Sequence, residues 1–264
     1  MRFQELAPPA GTEPFVECLW CFEAGEAREH VIVPDGAVSL TFIQMPQHGR
    51  FAGITGPSVT AHRAPLVAGA TYAGIRLRPG VAGSVLHGNT ENYRGVLGPL
   101  RVDTPWATTL RQALHSDRTL LEAASSAARQ LSSNAAALDD AVVKLADAIV
   151  AGDGAQPLSL LYAVAAVSAR QLRRRFKRQC GLSPKELSRL RRVRATCIRL
   201  VTERSGLADA AITSGYSDQA HMTREMSAVL GATPRLVDQY LAQIEHTELR
   251  RPFSSRPQAP AGSQ

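Results

Sequence analysis

No run of about 20 apolar residues occurs in this 264-residue chain, so no segment is expected to cross a bilayer as a helix. Cysteine is scarce. The four present, Cys18, Cys21, Cys180 and Cys197, are too few and too scattered for a disulfide framework. Catalytic signatures are lacking as well: there is no G-x-S-x-G, no H-E-x-x-H, and no Walker or dinucleotide glycine pattern. His30, His48, His62 and His87 stand apart without ligand spacing. Neither an enzyme nor a cofactor or metal is therefore expected. The first ten residues carry an Arg and a Glu but no long apolar run, which argues against a secretory leader and for a cytoplasmic protein.

One cysteine pattern needs weighing. Cys18-Leu19-Trp20-Cys21 has the C-x-x-C form, but a zinc site would need two further ligands, and no second pair accompanies it. Phe15, Val16, Leu19, Trp20 and Phe22 around it read as a buried strand, in which residues three apart point to opposite faces. Core cysteines are the expected reading, and a redox-sensing, metal-sensing or enzymatic first domain is the alternative.

Charge is unevenly divided. Residues 1–153 hold 12 Lys/Arg against 15 Asp/Glu, whereas residues 154–252 hold 17 against 8, so the formal net charge of +7 resides in the last part of the chain. A basic excess confined to one segment points to a polyanion as its partner.

Composition and pattern divide the chain further into an α+β, two-domain protein. Residues 1–103 read as a β-rich domain of short strands, among them 15–22, 29–34, 37–43 and 71–77, with a short helix at 81–87. Residues 104–153 read as a helical linker region, one helix over 106–131 and another over 135–150. Residues 154–246 read as an all-α domain. The tail, 247–264, is rich in Pro, Ser and Arg and is expected to be disordered. The turn at Gly80-Val81-Ala82-Gly83-Ser84 is read as structural in preference to an anion cradle. Arg76 and Arg78 are expected to pair with Asp35 or a glutamate before any ligand.

The strongest pattern is a repeat at an offset of 50 residues. Gly181-Leu182-Ser183-Pro184 pairs with Gly231-Ala232-Thr233-Pro234, Ser168 with Asp218, Leu172 with Met222, Arg174 with Arg224, and Phe176 with Met226. Each pair has a mechanical reason. Ser168 and Asp218 are helix N-caps, with Gln171 completing a capping box at the first. The apolar pairs at i, i+4 pin one face to a core. The glycines suit the left-handed residue that ends a helix, and the prolines suit the first turn of the next. A shorter helix precedes each repeated one, at 158–165 and 207–213, and a long helix over 184–201 joins the two units.

With Leu172 and Phe176 inward, Arg170, Arg173, Arg174 and Lys177 point outward together. Arg pairs bidentately with guanine and with phosphate. The second helix presents Gln219, Ala220, His221, Thr223 and Arg224, a mixture suited to base edges. A helical bundle with a merely solvated basic face is the alternative.

These residues resemble the AraC/XylS family of bacterial transcription regulators over about residues 158–237. The resemblance rests on Ser168-Ala169-Arg170-Gln171-Leu172-Arg173-Arg174-Arg175-Phe176-Lys177 and Gly215-Tyr216-Ser217-Asp218-Gln219-Ala220-His221-Met222-Thr223-Arg224-Glu225-Met226, with the two G-x-[S/T]-P turns. It implies a seven-helix double helix-turn-helix domain that docks two recognition helices in successive major grooves of double-stranded DNA near a promoter. Base contacts are then expected from Arg170, Arg173, Arg174, Gln219, Ala220, His221 and Arg224. Phosphate contacts are expected from Arg175, Lys177, Arg178 and Arg192. Tyr162, where a small Ala is usual, Ala166 in place of a turn Gly, and Met222 with Met226 in place of aromatics depart from the pattern. The first domain is similar to one found in a subset of these regulators, through Trp20, Val33-Pro34-Asp35-Gly36, Gly56-Pro57 and Ile75-Arg76-Leu77-Arg78-Pro79-Gly80. It is expected to sense or dimerise. The resemblance leaves open a small-molecule effector, a homodimer and contact with RNA polymerase.

Overall fold

The computed structural model describes residues 2–115, 119–163, 167–203, 206–241 and 245–246. In chain order the elements are β1 (Arg2–Leu6), β2 (Val16–Glu23), β3 (Arg28–Ile32), β4 (Ser39–Met45), β5 (Gly49–Thr55), β6 (His62–Leu66), β7 (Thr71–Leu77), α1 (Ala82–Val85), a 3-10 turn (Thr90–Tyr93), β8 (Leu97–Pro99), α2 (Pro105–Leu114), α3 (Leu120–Ser133), α4 (Asp140–Ala151), α5 (Leu158–Ala163), α6 (Ala169–Cys180), α7 (Pro184–Glu203), α8 (Leu207–Thr213), α9 (Gln219–Leu230), α10 (Pro234–Leu241) and β9 (Glu245–His246). The fold is α+β, with a β-rich first half and a helical second half.

Seven strands form one sheet in the order β8-β5-β4-β7-β2-β1-β9, and β3 and β6 pair separately. Alternation along each strand gives the large sheet two faces. Leu19, Leu40, Phe42, Ile54 and Ile75 turn to one side, where they join Trp106, Ala107 and Leu110 of α2 and Ala123, Ala124, Ala127, Ala128 and Leu131 of α3 in the main core. The alanine stripe of α3 recurs at i, i+3, i+4 spacing, so this helix lies close against the strands. The opposite face looks towards β3 and β6. Cys18 and Cys21 fall on opposite faces, as their spacing requires. Cys18 Sγ lies 3.4 Å from Arg76 Nη1, whereas Cys21 packs against the main core.

The helical region departs from expectation in two places. The helix expected over 106–131 is divided. Thr119 caps α3 in a capping box with Glu122, a T-x-x-E start signal in the middle of the expected helix. The helix expected from residue 135 begins at Asp140, because Ala136 N donates to Ser84 O (3.0 Å) and Ser84 Oγ donates to Ala137 O (3.2 Å). Those bonds dock the residues before α4 on α1, and Asp139 supplies the N-cap by accepting from Val142 N, so tertiary pairing overrides the helix propensity of alanine.

The second half has two cores joined by α7. Val142, Leu145, Ala146 and Ile149 of α4 pack with Leu172, Phe176 and Cys180 of α6 and Leu187 of α7. Leu190, Val193, Cys197 and Leu200 of α7 pack with Ala210 and Ala211 of α8, Met222, Met226 and Val229 of α9, and Val237 of α10. Among the described residues α4, which the sequence placed in the linker region, shares a core with α6 and α7, and α4 to α10 make seven helices. The two methionines are fully buried and fill the aromatic positions of the family pattern. Residues 164–166, which include the turn at Ala166, and the tail 247–264 lie outside the described residues.

The halves are tied together. Thr90 Oγ1 donates to Gln179 O at 2.9 Å, Ala61 N donates to Val229 O at 2.7 Å, and Arg94 meets Glu186 at 2.6 Å.

Candidate nucleic-acid interface

The two helix-turn-helix units are α5–α6 and α8–α9. Both repeated helices start and end alike. Ser168 Oγ accepts from Gln171 N at 3.3 Å, and Asp218 Oδ1 accepts from His221 N at 2.6 Å. The carboxyl of Asp218 is held below its usual range chiefly by that backbone N–H. Gly181 and Gly231 close the helices with φ of 71° and 67°. The capping box expected at Ser168 is only half made. Gln171 Oε1 accepts from the Ser168 hydroxyl at 3.2 Å instead of reaching the backbone N–H. A complete box forms at the start of α7, where Ser183 N donates to Glu186 Oε2 (2.7 Å) and Glu186 N donates to Ser183 Oγ (3.3 Å).

Leu172, Phe176 and Cys180 bury one side of α6, which leaves Arg170, Gln171, Arg173, Arg174, Lys177 and Arg178 exposed on the other. Arg173 stacks over the Tyr162 ring at 5.1 Å, so the tyrosine that departs from the family pattern orients a basic side chain. Among the described residues, Arg170, Arg174 and Arg178 have no carboxylate within ion-pair distance. On α9, Gln219, Ala220 and Arg224 are exposed and Thr223 is half-buried. His221 is tied into its own turn, with Nδ1 3.1 Å from Ser217 Oγ and its ring edge-on to Tyr216 at 5.3 Å.

Three of the expected phosphate contacts are paired with carboxylates of this chain. Arg175 makes a bidentate pair with Asp139 (2.6 and 2.5 Å), Lys177 meets Glu91 at 2.6 Å, and Arg192 meets Glu225 at 3.1 Å while lying over the Tyr216 ring at 4.9 Å. Asp139 also caps α4 by accepting from Val142 N at 3.2 Å, so one carboxylate fixes a helix start and a basic side chain of α6.

Between the two halves lies a charge cluster of which the sequence suggested only the pairing of Arg76. Arg191 Nη1 is 3.1 Å from Glu17 Oε1, Arg194 Nη2 is 3.8 Å from Glu5 Oε1, and Arg76 Nη1 is 2.6 Å from Glu5 Oε1. Arg76 Nε lies 2.8 Å from Asp35 Oδ2 but off the N–H direction, an ion contact and not a hydrogen bond. All six side chains are between 4% and 17% exposed. Burial would raise the pKa of Glu17, yet Arg191, Arg76 and Arg194 outweigh it and hold the carboxyl at about 2. A signal was present: Arg191 and Arg194 stand at i+4 and i+7 from Leu187, in the apolar stripe of α7. Arg76 thus meets the expected Asp35 and a glutamate, and Arg78 pairs with Asp147 at 2.6 Å.

Cys18, Cys180 and Cys197 are buried, and Cys21 is half-buried. Burial pushes the Cys18 and Cys197 thiols up to about 12 and raises Cys180 as well. Among the described residues no group of three His, Cys, Asp or Glu is arranged to hold a metal ion, and no helix is long and apolar enough to cross a membrane.

The family described as a helix-turn-helix domain matches residues 161–239, and a domain of unknown function matches residues 4–95. No curated protein matches the chain. Similar solved structures include a probable AraC family transcriptional regulator from Rhodopseudomonas palustris, 24% identical over 39% of this chain and 97% of that one, with a TM-score of 0.34. ToxT from Vibrio cholerae is 9% identical over 84% of this chain and 97% of its own, with a TM-score of 0.43.

Proposed function

We propose that this chain is a DNA-binding transcription regulator of the AraC type, whose carboxy-terminal helix-turn-helix domain reads one DNA site with α6 and α9 together, in successive major grooves near a promoter. The observation that carries the reading is the matched pair of capped helices, each pinned by its apolar side and each presenting polar side chains outward.

In this reading Arg170, Arg173 and Arg174 address base edges from α6, and Gln219, Ala220 and Arg224 do so from α9, with His221 held closer to its own turn. Arg178 is the phosphate contact ready at the outset. Arg175, Lys177 and Arg192 join it where phosphate displaces Asp139, Glu91 and Glu225 from them. The chain acts by binding and not by catalysis, in the bacterial cytoplasm, beside RNA polymerase and as a monomer or a homodimer.

The test is selection of genomic fragments by the purified full-length protein. The expected result is an enriched motif with two half-sites about 10 base pairs apart. Tight binding at low salt with no enriched motif would reduce the protein to a generic basic binder. A duplicated or palindromic arrangement of the whole motif would mark the dimer.

A further inference from the structure

The β-rich half encloses a cavity of about 390 Å³, bounded by the face of the large sheet that looks away from α3 and by the β3–β6 pair. That volume suits one small organic molecule. Strand alternation explains the lining: Trp20 and Phe22 of β2, Thr41 and Ile43 of β4, and Tyr72 and Arg76 of β7 all turn to this side.

Three observations fix the chemistry of an occupant. The walls are largely apolar and carry a cluster of rings: Phe3 stacks on Trp20 at 6.5 Å, and Phe22 lies 5.0 Å from His30 and 5.7 Å from Tyr72. Charge on the walls is already matched. Arg76 faces Glu5 and Asp35, and the second oxygen of Asp35 accepts from Ala37 N at 2.9 Å. Burial, with Arg28 nearby, holds His30 down at about 4, so its ring is neutral near pH 7. Lastly, Trp20 Nε1 and His62 Nε2 are buried in the lining residues without a hydrogen-bond partner among the described residues. Such groups cost stability until something pairs with them, and the indole N–H can only donate. Gly74 is part of the arrangement. The Trp20 indole lies flat on the strand there, and any Cβ at Gly74 would collide with it.

We propose that this cavity is a binding site for one neutral, mainly apolar small molecule, with an acceptor for Trp20 Nε1 and a hydrogen-bonding group for His62 Nε2. Its occupancy is transmitted to α7. Asp35 and Arg76 line the cavity and also belong to the buried ion cluster that reaches Arg191 and Arg194, and Gly36 packs on Leu187 of α7. A ligand touching Asp35 therefore acts on the helix that joins the two DNA-facing units, and ligand and DNA affinities are coupled. This second step rests on the DNA-binding reading.

The experiment titrates the full-length protein, without DNA, with N-phenyl-1-naphthylamine and separately with its sulfonated analogue, 8-anilino-1-naphthalenesulfonate. The expected result is saturable one-to-one binding of the neutral compound, about tenfold or more tighter than the sulfonate. Ala64→Trp on β6 and Ile43→Trp on β4, each filling the cavity from a different strand and each checked for folding by circular dichroism, should weaken it by about tenfold or more. Absence of saturable binding, equal binding of the sulfonate, or binding that survives in a folded filled variant overturns the proposal. These readings involve no DNA, so their failure is separate from failure of the DNA-binding reading. Coupling is then read on the selected DNA site. Saturating N-phenyl-1-naphthylamine should change its affinity by about threefold or more in the wild type and not in the filled variant. Unchanged affinity in the wild type overturns the coupling.

Discussion

Arg191 of α7 and Glu17 of β2 face each other across the junction of the two halves, Nη1 to Oε1 at 3.1 Å and Nη2 to Oε2 at 3.2 Å, with side chains 4% and 10% exposed. A buried pair of this kind adds little net stability over apolar residues of equal size, but losing one member leaves a charge uncompensated. Glu17→Ala is expected to destabilise the protein by about 3–5 kcal/mol in urea unfolding. The double substitution Glu17→Leu with Arg191→Met is expected to recover most of that loss. A double variant as unstable as Glu17→Ala would show that the pair matters through something other than charge balance.

The same cluster sets an acid limit. Glu17 titrates at about 2 in the folded chain against 4.5 for an ordinary glutamate, so its contribution is present above pH 4.5 and is lost as pH falls towards 2. His30, held at about 4 against 6.5, lets the unfolded chain take up a proton that the folded one refuses, so stability also falls as pH drops from 6.5 to 4. Unfolding free energy measured against pH should decline in both windows. Glu17→Gln should flatten the lower window, and His30→Gln the upper.

Arg174 stands exposed on α6 with no carboxylate beside it among the described residues, so nothing has to be broken before it meets a base. Arg174→Ala should cost about 1–3 kcal/mol on the selected site and much less on scrambled DNA. Equal losses on both would demote it to a phosphate contact.

Lys177 is held by Glu91 at 2.6 Å. Glu91→Gln releases it, and the plot of log affinity against log salt should steepen by about 0.9, the value of one added phosphate contact. An unchanged slope would mean that Lys177 either reaches phosphate in the wild type already or faces none, and Lys177→Ala, which lowers the slope only in the first case, separates the two.

The two helix-ending glycines offer a comparison. Gly231 has nothing within 4 Å of an added Cβ, so Gly231→Ala should cost only the left-handed backbone, about 1–2 kcal/mol. At Gly181 the same Cβ would lie 2.5 Å from Pro57 Cγ and 3.0 Å from Thr90 O. Gly181→Ala should therefore cost clearly more in thermal or urea unfolding, because it also parts the helical half from the first domain.

The amino-acid sequence alone determined the duplicated unit. N-caps, i, i+4 apolar pairs and left-handed glycines are interactions within a dozen residues, so Ser168 and Asp218, Leu172 and Met222, Gly181 and Gly231 could be matched without knowing what lay around them. The divided helix at Thr119 was equally local, and its T-x-x-E signal was legible but outweighed by an Ala/Leu-rich run. Only the tertiary structure decided which basic residues face outward. Arg191 and Arg192 are neighbours of one type, yet one is sealed against Glu17 and the other lies over Tyr216 beside Glu225. Likewise Arg175 and Lys177, both expected to meet phosphate, meet Asp139 and Glu91 from distant segments. Coulomb partners are chosen by chain segments that pack together, and no local pattern records who arrives. The cavity beneath β3 and β6 was hidden for the same reason: alternation assigns side chains to a face of a sheet, but what covers that face is settled by the packing of the whole domain.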